Sequence, residues 1–294
     1  MQRLINIMEF KEITLFHSNW SLCSQMVRVA LYEKGISFNE KHIKLCDQYP
    51  EGENLDKFFL DINPLGTVPA IKINEKIICD SAIIIKELNK LQGSKEINLY
   101  QNDGCDSDTL ISETTITEGV KFASTLGTIL PVFSAPLIQH MVKKLPFKSI
   151  LKILLRHPRK DRKLIFLSMY FSNFSKNLPK IGIKKFASEL INFENRLSKN
   201  NKYFYKTFSH IDINMMCLFN RLKDLQLENC LNTDKTPLIE RYWNHLQKRN
   251  SYQDGILNYY TEKEFSIIED FYQNKSSIFL NSIIKELDIL KSKQ

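Results

Sequence analysis

The 294-residue sequence holds no C-x-x-C pair: its six cysteines, at 23, 46, 79, 105, 217 and 230, stand apart from one another and from any histidine cluster. That spacing excludes the common zinc frameworks, and no metal site is expected. The first ten residues, MQRLINIMEF, lack the apolar core of a secretory leader, so reduced thiols and a cytoplasmic location are expected. No internal repeat or low-complexity tract is visible, which excludes solenoids and arrays. What is present is a globular composition, 43% apolar and 25% charged, with length for roughly two domains.

The formal charge of +8 sits in one place. Residues 1–104 carry 12 basic and 14 acidic groups and residues 207–294 carry 11 and 12, whereas 143–163 hold nine basic groups against Asp161 alone. The excess is therefore a property of the middle of the chain, not of the whole protein.

EITLFH (12–17) is rich in β-branched and aromatic residues and reads as a strand. Residues 21–34 follow with apolar positions at helical spacing, and Gly35 suits the position just past a helix end. ISFNEKHI reads as a second strand, and NLDKFFLDI as a short helix halted before a proline. VPAIKI and KIIC form two strands around a tight Asn-Glu turn. DSAIIIKELNKL opens on a capping aspartate and runs as an amphipathic helix. This βαβ-α-ββα order predicts an α/β thioredoxin-like N-terminal domain over 10–93. Beyond a polar connector only helical periodicity remains, at 107–126, 183–198, 210–224, 236–248 and 276–292. The expectation is an all-α C-terminal domain over 105–294 with a basic insertion around 127–180.

NPLGTVPAI (63–71), DSAIIIKEL (80–88), FSHIDINMMCLFNRL (208–222) and LIERYWNHLQKRNSY (238–252) together resemble the cytosolic glutathione transferase superfamily. Within it, ITLFHSN…SQMVRVALYEKGISFNEKH and the 208–222 helix resemble most the stringent starvation protein A branch, known for binding RNA polymerase. The resemblance covers roughly residues 10–92 and 200–262. It implies glutathione as co-substrate and a cis bond between Val68 and Pro69, with the Val68 backbone pairing with the cysteinyl part of the tripeptide. It also implies that Ser81 and the free amides at that helix start receive the γ-glutamyl carboxylate, while Asp80 receives the ammonium group. Both residues also suit an ordinary N-cap.

By the same resemblance, Ser21 falls where zeta-like transferases carry a catalytic serine and omega-like ones a cysteine. A hydroxyl there can donate to the glutathione sulfur and favour thiolate over thiol; the alternative is a simple capping serine. Cys23, two residues on, is expected to turn away from the cleft and to be buried. Ser209-x-x-Asp212 reads as a capping box with a structural role.

Residues 122–142 carry no formal charge, but Pro131, Pro136, Gln139 and His140 make a poor membrane span, and a bent core helix is expected. FKSILKILLRHPRKDRK then mixes apolar and basic residues at helical spacing. It is either a helix with a solvated basic face or a contact, through residues 143–163, for anionic membrane or RNA polymerase. The activity implied is conjugation or reduction of an electrophile by a glutathione transferase, possible as a homodimer. The alternatives are a non-catalytic starvation-protein-like regulator and a membrane-surface protein.

Overall fold

The computed structural model describes residues 12–100, 107–116 and 121–292. The expected domain starts at 10 and 105, and the end at 294, lie outside the described residues.

The strand patterns of the first third produce β1 (Ile13–His17), β2 (Asn39–His42), β3 (Ala70–Ile73) and β4 (Lys76–Cys79). They form one mixed sheet in the order β2-β1-β3-β4. β1 pairs with β2 in parallel through Phe16 opposite Lys41, and with β3 antiparallel through Phe16 opposite Ala70. The turn between β3 and β4 places Asn74 at φ 51°, a conformation that asparagine tolerates better than most residues. α1 (Leu22–Lys34) ends on Gly35 at φ 60°, whose N–H reaches the carbonyls of Leu31 and Tyr32. A 3-10 turn (Glu53–Leu55) and α2 (Lys57–Leu60) occupy the expected short-helix segment, and α3 (Ser81–Asn89) closes the domain.

The remainder is helical: α4 (Ser107–Thr114), α5 (Leu126–Lys144), α6 (Phe147–Arg156), α7 (Lys160–Phe171), α8 (Ile183–Arg196), α9 (His210–Asp224), α10 (Pro237–Leu246), α11 (Asn250–Gly255), α12 (Glu262–Tyr272) and α13 (Leu280–Lys291). This is a thioredoxin-like domain followed by an all-α domain. The helix expected over 107–126 ends at Thr114, and its positions 117–120 lie outside the described residues. The uncharged run forms α5 with Pro131 and Pro136 inside it; Leu130, Val132, Phe133 and Leu137 are buried there. Among the described residues no helix is long and apolar enough to cross a membrane.

One apolar cluster joins the two parts, running from Leu15, Met26 and Ile84 to Phe186, Phe219 and Trp243. α1 carries its buried face against α9 and α11. Glu33 on α1 takes Arg249 at 2.5 and 2.6 Å and a bond from Ser251. Asp212 sits wholly buried at the start of α9. One oxygen accepts from the Ser209 N–H and hydroxyl, both at 2.7 Å; the other accepts from Phe204 N–H at 2.8 Å and the Tyr242 hydroxyl at 2.7 Å. The capping box is present, and two further donors enlarge it into a hub between α9 and α10.

Candidate functional site

Two helix starts build the site. Ser21 caps α1 from an extended conformation (φ −70°, ψ 122°), its Oγ accepting the Ser24 N–H at 3.3 Å. A serine hydroxyl has one proton and two lone pairs. The cap occupies a lone pair, so the proton is left for another partner, and Ser21 is only half-buried. Capping and donation to a thiolate are therefore compatible at this atom.

Asp80 caps α3 from φ 74° and ψ 124°, a region that costs a non-glycine residue about 1–3 kcal/mol. Its Oδ1 accepts the N–H groups of Ala82 at 2.9 Å and Ile83 at 3.2 Å. Two amides expected to face a ligand are thus capped by the chain's own carboxylate. Ser81 is buried, and its hydroxyl lies near the Cys23 thiol, where it favours the thiolate form. The Val68–Pro69 bond, just before β3, is cis.

Cys23, rather than Ser21, is thus the α1 residue that meets Ser81. The two-residue offset from Ser21 does turn Cys23 around the helix, but α3 packs alongside α1 and its first turn lies on that side. Burial pushes the Cys23 thiol up to about 11, with Ser81 and Arg221 pulling it down and Asp80 raising it. At neutral pH it is a thiol and a weak nucleophile.

The loop 44–56 borders this region. Asn54 ties it to the NPLGTVP turn, accepting from Cys46 N–H and donating to the Gly66 carbonyl, both at 2.8 Å. The helical domain grips the same loop from two sides. From α6, Ser149 donates to the Pro50 carbonyl at 3.0 Å, Lys152 donates to the Glu51 carbonyl, and Lys152 and Arg156 meet Asp56 at 2.8 and 3.1 Å. From α12, Lys263 donates to the Gln48 carbonyl at 2.8 Å. Part of the basic middle segment is therefore matched to an acidic loop of the first domain. Lys263 and α12 were not readable as site neighbours, because nothing in their local pattern names a partner two hundred residues away.

A separate cavity of about 520 Å³ opens at the β2 edge, lined by His17, Asn19, Tyr32, Glu40, His42 and Tyr259 among others. None of Ser21, Val68, Asp80 or Ser81 lines it. Arg28, wholly buried behind it, donates to His17 Nδ1 at 3.0 Å, to the Gly255 carbonyl at 2.8 Å and to the Asn19 carbonyl at 2.9 Å, and lies 3.9 Å from the Tyr259 ring centre. Burial lowers His17 to about 3, helped by Arg28 and His42. The imidazole is therefore neutral, with its proton on Nε2. Among the described residues no group of three or more histidine, cysteine or acidic side chains could hold a metal ion.

Residues 20–91 match the family model of the glutathione S-transferase N-terminal domain. Glutathione S-transferase 1 of Dianthus caryophyllus is 37% identical over 82 residues, which are 28% of this chain and 35% of the relative. Glutathione S-transferase Z1 of Arabidopsis thaliana is 37% identical over 75 residues, 25% of this chain and 32% of its own. The chain thus spans about a third of the length of these relatives. Among solved structures, the beta-etherase LigF of a Sphingobium strain aligns with a TM-score of 0.67 at 19% identity, over 83% of this chain and 98% of that one. Glutathione transferase F2 of Populus trichocarpa aligns at 0.57 and 17% identity, over 84% and 98%. At such identities the structures establish the fold. Domain and fold together define a glutathione-transferase-like architecture of two domains. Residues 20–91 belong to the glutathione S-transferase N-terminal domain family, and the chain as a whole has the fold of the cytosolic glutathione transferases. None of the relatives named here is of the stringent starvation protein A branch.

Proposed function

We propose that this protein binds glutathione and transfers its thiolate to an electrophile. The Ser21 hydroxyl donates to the sulfur, the positive end of α1 lies behind it, and the thiol proton leaves to solvent. The sulfur then attacks the electrophilic carbon, and a leaving group departs or the adduct is protonated. Val68 and Pro69 take the cysteinyl backbone, Ser81 the γ-glutamyl carboxylate, and the free oxygen of Asp80 the ammonium group. The observation that carries this reading is the unused Ser21 proton at a half-exposed helix start. Strained Asp80 supports it, since strain of this kind collects at ligand sites.

A second reading, a non-catalytic regulator that contacts RNA polymerase, is favoured by the α3 amides already closed by Asp80 and by the burial of Ser81. Exposed Ile77 and Ile83, on β4 and α3, suit the proposed homodimer, and a cytoplasmic location accords with reduced thiols.

Titration calorimetry with glutathione and a conjugation assay with a chromogenic aryl halide separate the readings. Ser81→Ala should lose tripeptide binding. Ser21→Ala should keep binding and lose about 10²-fold in kcat/KM, the usual cost of one such donor. No binding by the unaltered protein, with RNA polymerase retained on it, would establish the regulator instead.

A further inference from the structure

α6 is apolar on two sides. Ile150 and Ile153 enter a core with Phe166 and Met169 of α7, while Phe147, Leu151 and Leu155 form an exposed ridge at i, i+4 and i+8, about 12 Å long. α7 runs antiparallel beside it, with Phe147 6.5 Å from Phe171 at one end and Lys163 bonded to the Leu155 carbonyl at the other. It extends the ridge with Leu164 and Phe171. Leu155 is 71% exposed, Leu164 66% and Phe171 67%. A helix with apolar residues on both faces is normally covered on both, and contiguous apolar surface of this kind marks an interaction site.

The charge of this stretch of chain, with Lys148 on α6 and Lys160 on α7 beside the ridge itself, points to the partner's chemistry. Residues 143–185 hold thirteen basic side chains against Asp161. Lys152 and Arg156 are held by Asp56, Lys144 by Asp270 and Lys185 by Glu189. Lys148, Lys160, Lys176, Lys180 and Lys184 meet no carboxylate among the described residues. A second copy laid face to face on this ridge would oppose cation to cation. An anionic bilayer offers phosphate groups to the lysines and an apolar layer to the leucines and phenylalanines, as surface-lying amphipathic helices require.

We propose that the α6–α7 face docks reversibly on anionic membrane surfaces, with Leu151, Leu155, Leu164 and Phe171 entering the headgroup boundary. Docking is independent of the glutathione reading, and none of these residues belongs to the Ser21–Ser81 site.

Co-sedimentation of the full-length protein with vesicles tests it directly. Binding is expected to equimolar phosphatidylcholine and phosphatidylserine, not to phosphatidylcholine alone, and should weaken as salt screens the lysines. Leu155→Glu with Leu164→Glu should cut partitioning at least about tenfold, as should Lys148→Glu with Lys160→Glu. Circular dichroism of each variant confirms folding, since these side chains are exposed. A protein that stays in the supernatant with anionic vesicles at low salt overturns the proposal. Binding that survives the leucine changes overturns the apolar part. A dimer in light scattering that Leu155→Glu splits, without vesicle binding, assigns the face to a second copy instead.

Discussion

The buried carboxylates and the cations of α6–α7 are treated in opposite ways. Glu33, Asp212 and Asp224 lie inside, each surrounded by donors; Asp224 alone receives Trp20 Nε1 at 2.8 Å and the Tyr260 hydroxyl at 2.6 and 2.7 Å. Most lysines of 143–185 meet no carboxylate among the described residues. Charge answered within the chain fixes how the two domains sit together, whereas charge left over is directed at something outside. Histidines stand in both places, and in both they are kept neutral.

Acid should break that comparison first. His17, beside Arg28 of the first domain, is lowered to about 3, chiefly by burial, and His157, at the end of α6, to about 4 by burial and then by Arg162 and Arg159. The unfolded chain takes up protons near 6.5 and the folded one does not. Stability is therefore full above about 6.5 and falls as pH drops toward the folded values, by up to about 1.4 kcal/mol per pH unit for each histidine. Urea unfolding at pH 7.5, 6 and 5 should show a falling midpoint, and a His17→Gln, His157→Gln protein should show a flatter profile.

Asp212→Ala removes the hub of α9. It leaves the Phe204 N–H, Ser209 N–H and Tyr242 hydroxyl without their acceptor, a loss of about 3 kcal/mol or more. An unchanged denaturation midpoint would show that the buried acids are not what fixes the helical domain. The smallest effect is expected at Asp80. Asp80→Ala loses the α3 cap and keeps the strain, whereas Asp80→Gly loses the cap and relieves the strain. The glycine variant should be the more stable by about 1 kcal/mol in thermal melts.

Local patterns carried much of this architecture. The α9 boundaries and its capping box could be read from S-x-x-D before an apolar run, and the Asp80 cap from DSAIII. Gly35 marked the end of α1 because only a left-handed residue closes it there. What could not be read depends on residues distant in sequence. Nothing in SLCS says that α3 would lie along the Cys23 side of α1. α7 and α12 escaped notice since their charged, mixed faces give weak periodicity. Arg28, an ordinary basic residue in sequence, lies wholly buried with three backbone carbonyls and His17 around it. Neither a solvated face nor an external contact describes all of the basic helix: Lys152 and Arg156 meet Asp56 of the first domain, an intramolecular pairing that the local pattern does not announce, while Leu151 and Leu155 beside them are exposed.

The grip of α6 and α12 on residues 48–56 sets how the cleft can breathe. A segment anchored at Gln48, Pro50, Glu51 and Asp56 by two separate helices cannot flap on its own hinge. To shift and widen the cleft, it must either break these contacts or carry both helices along, which ties any such movement to the second domain.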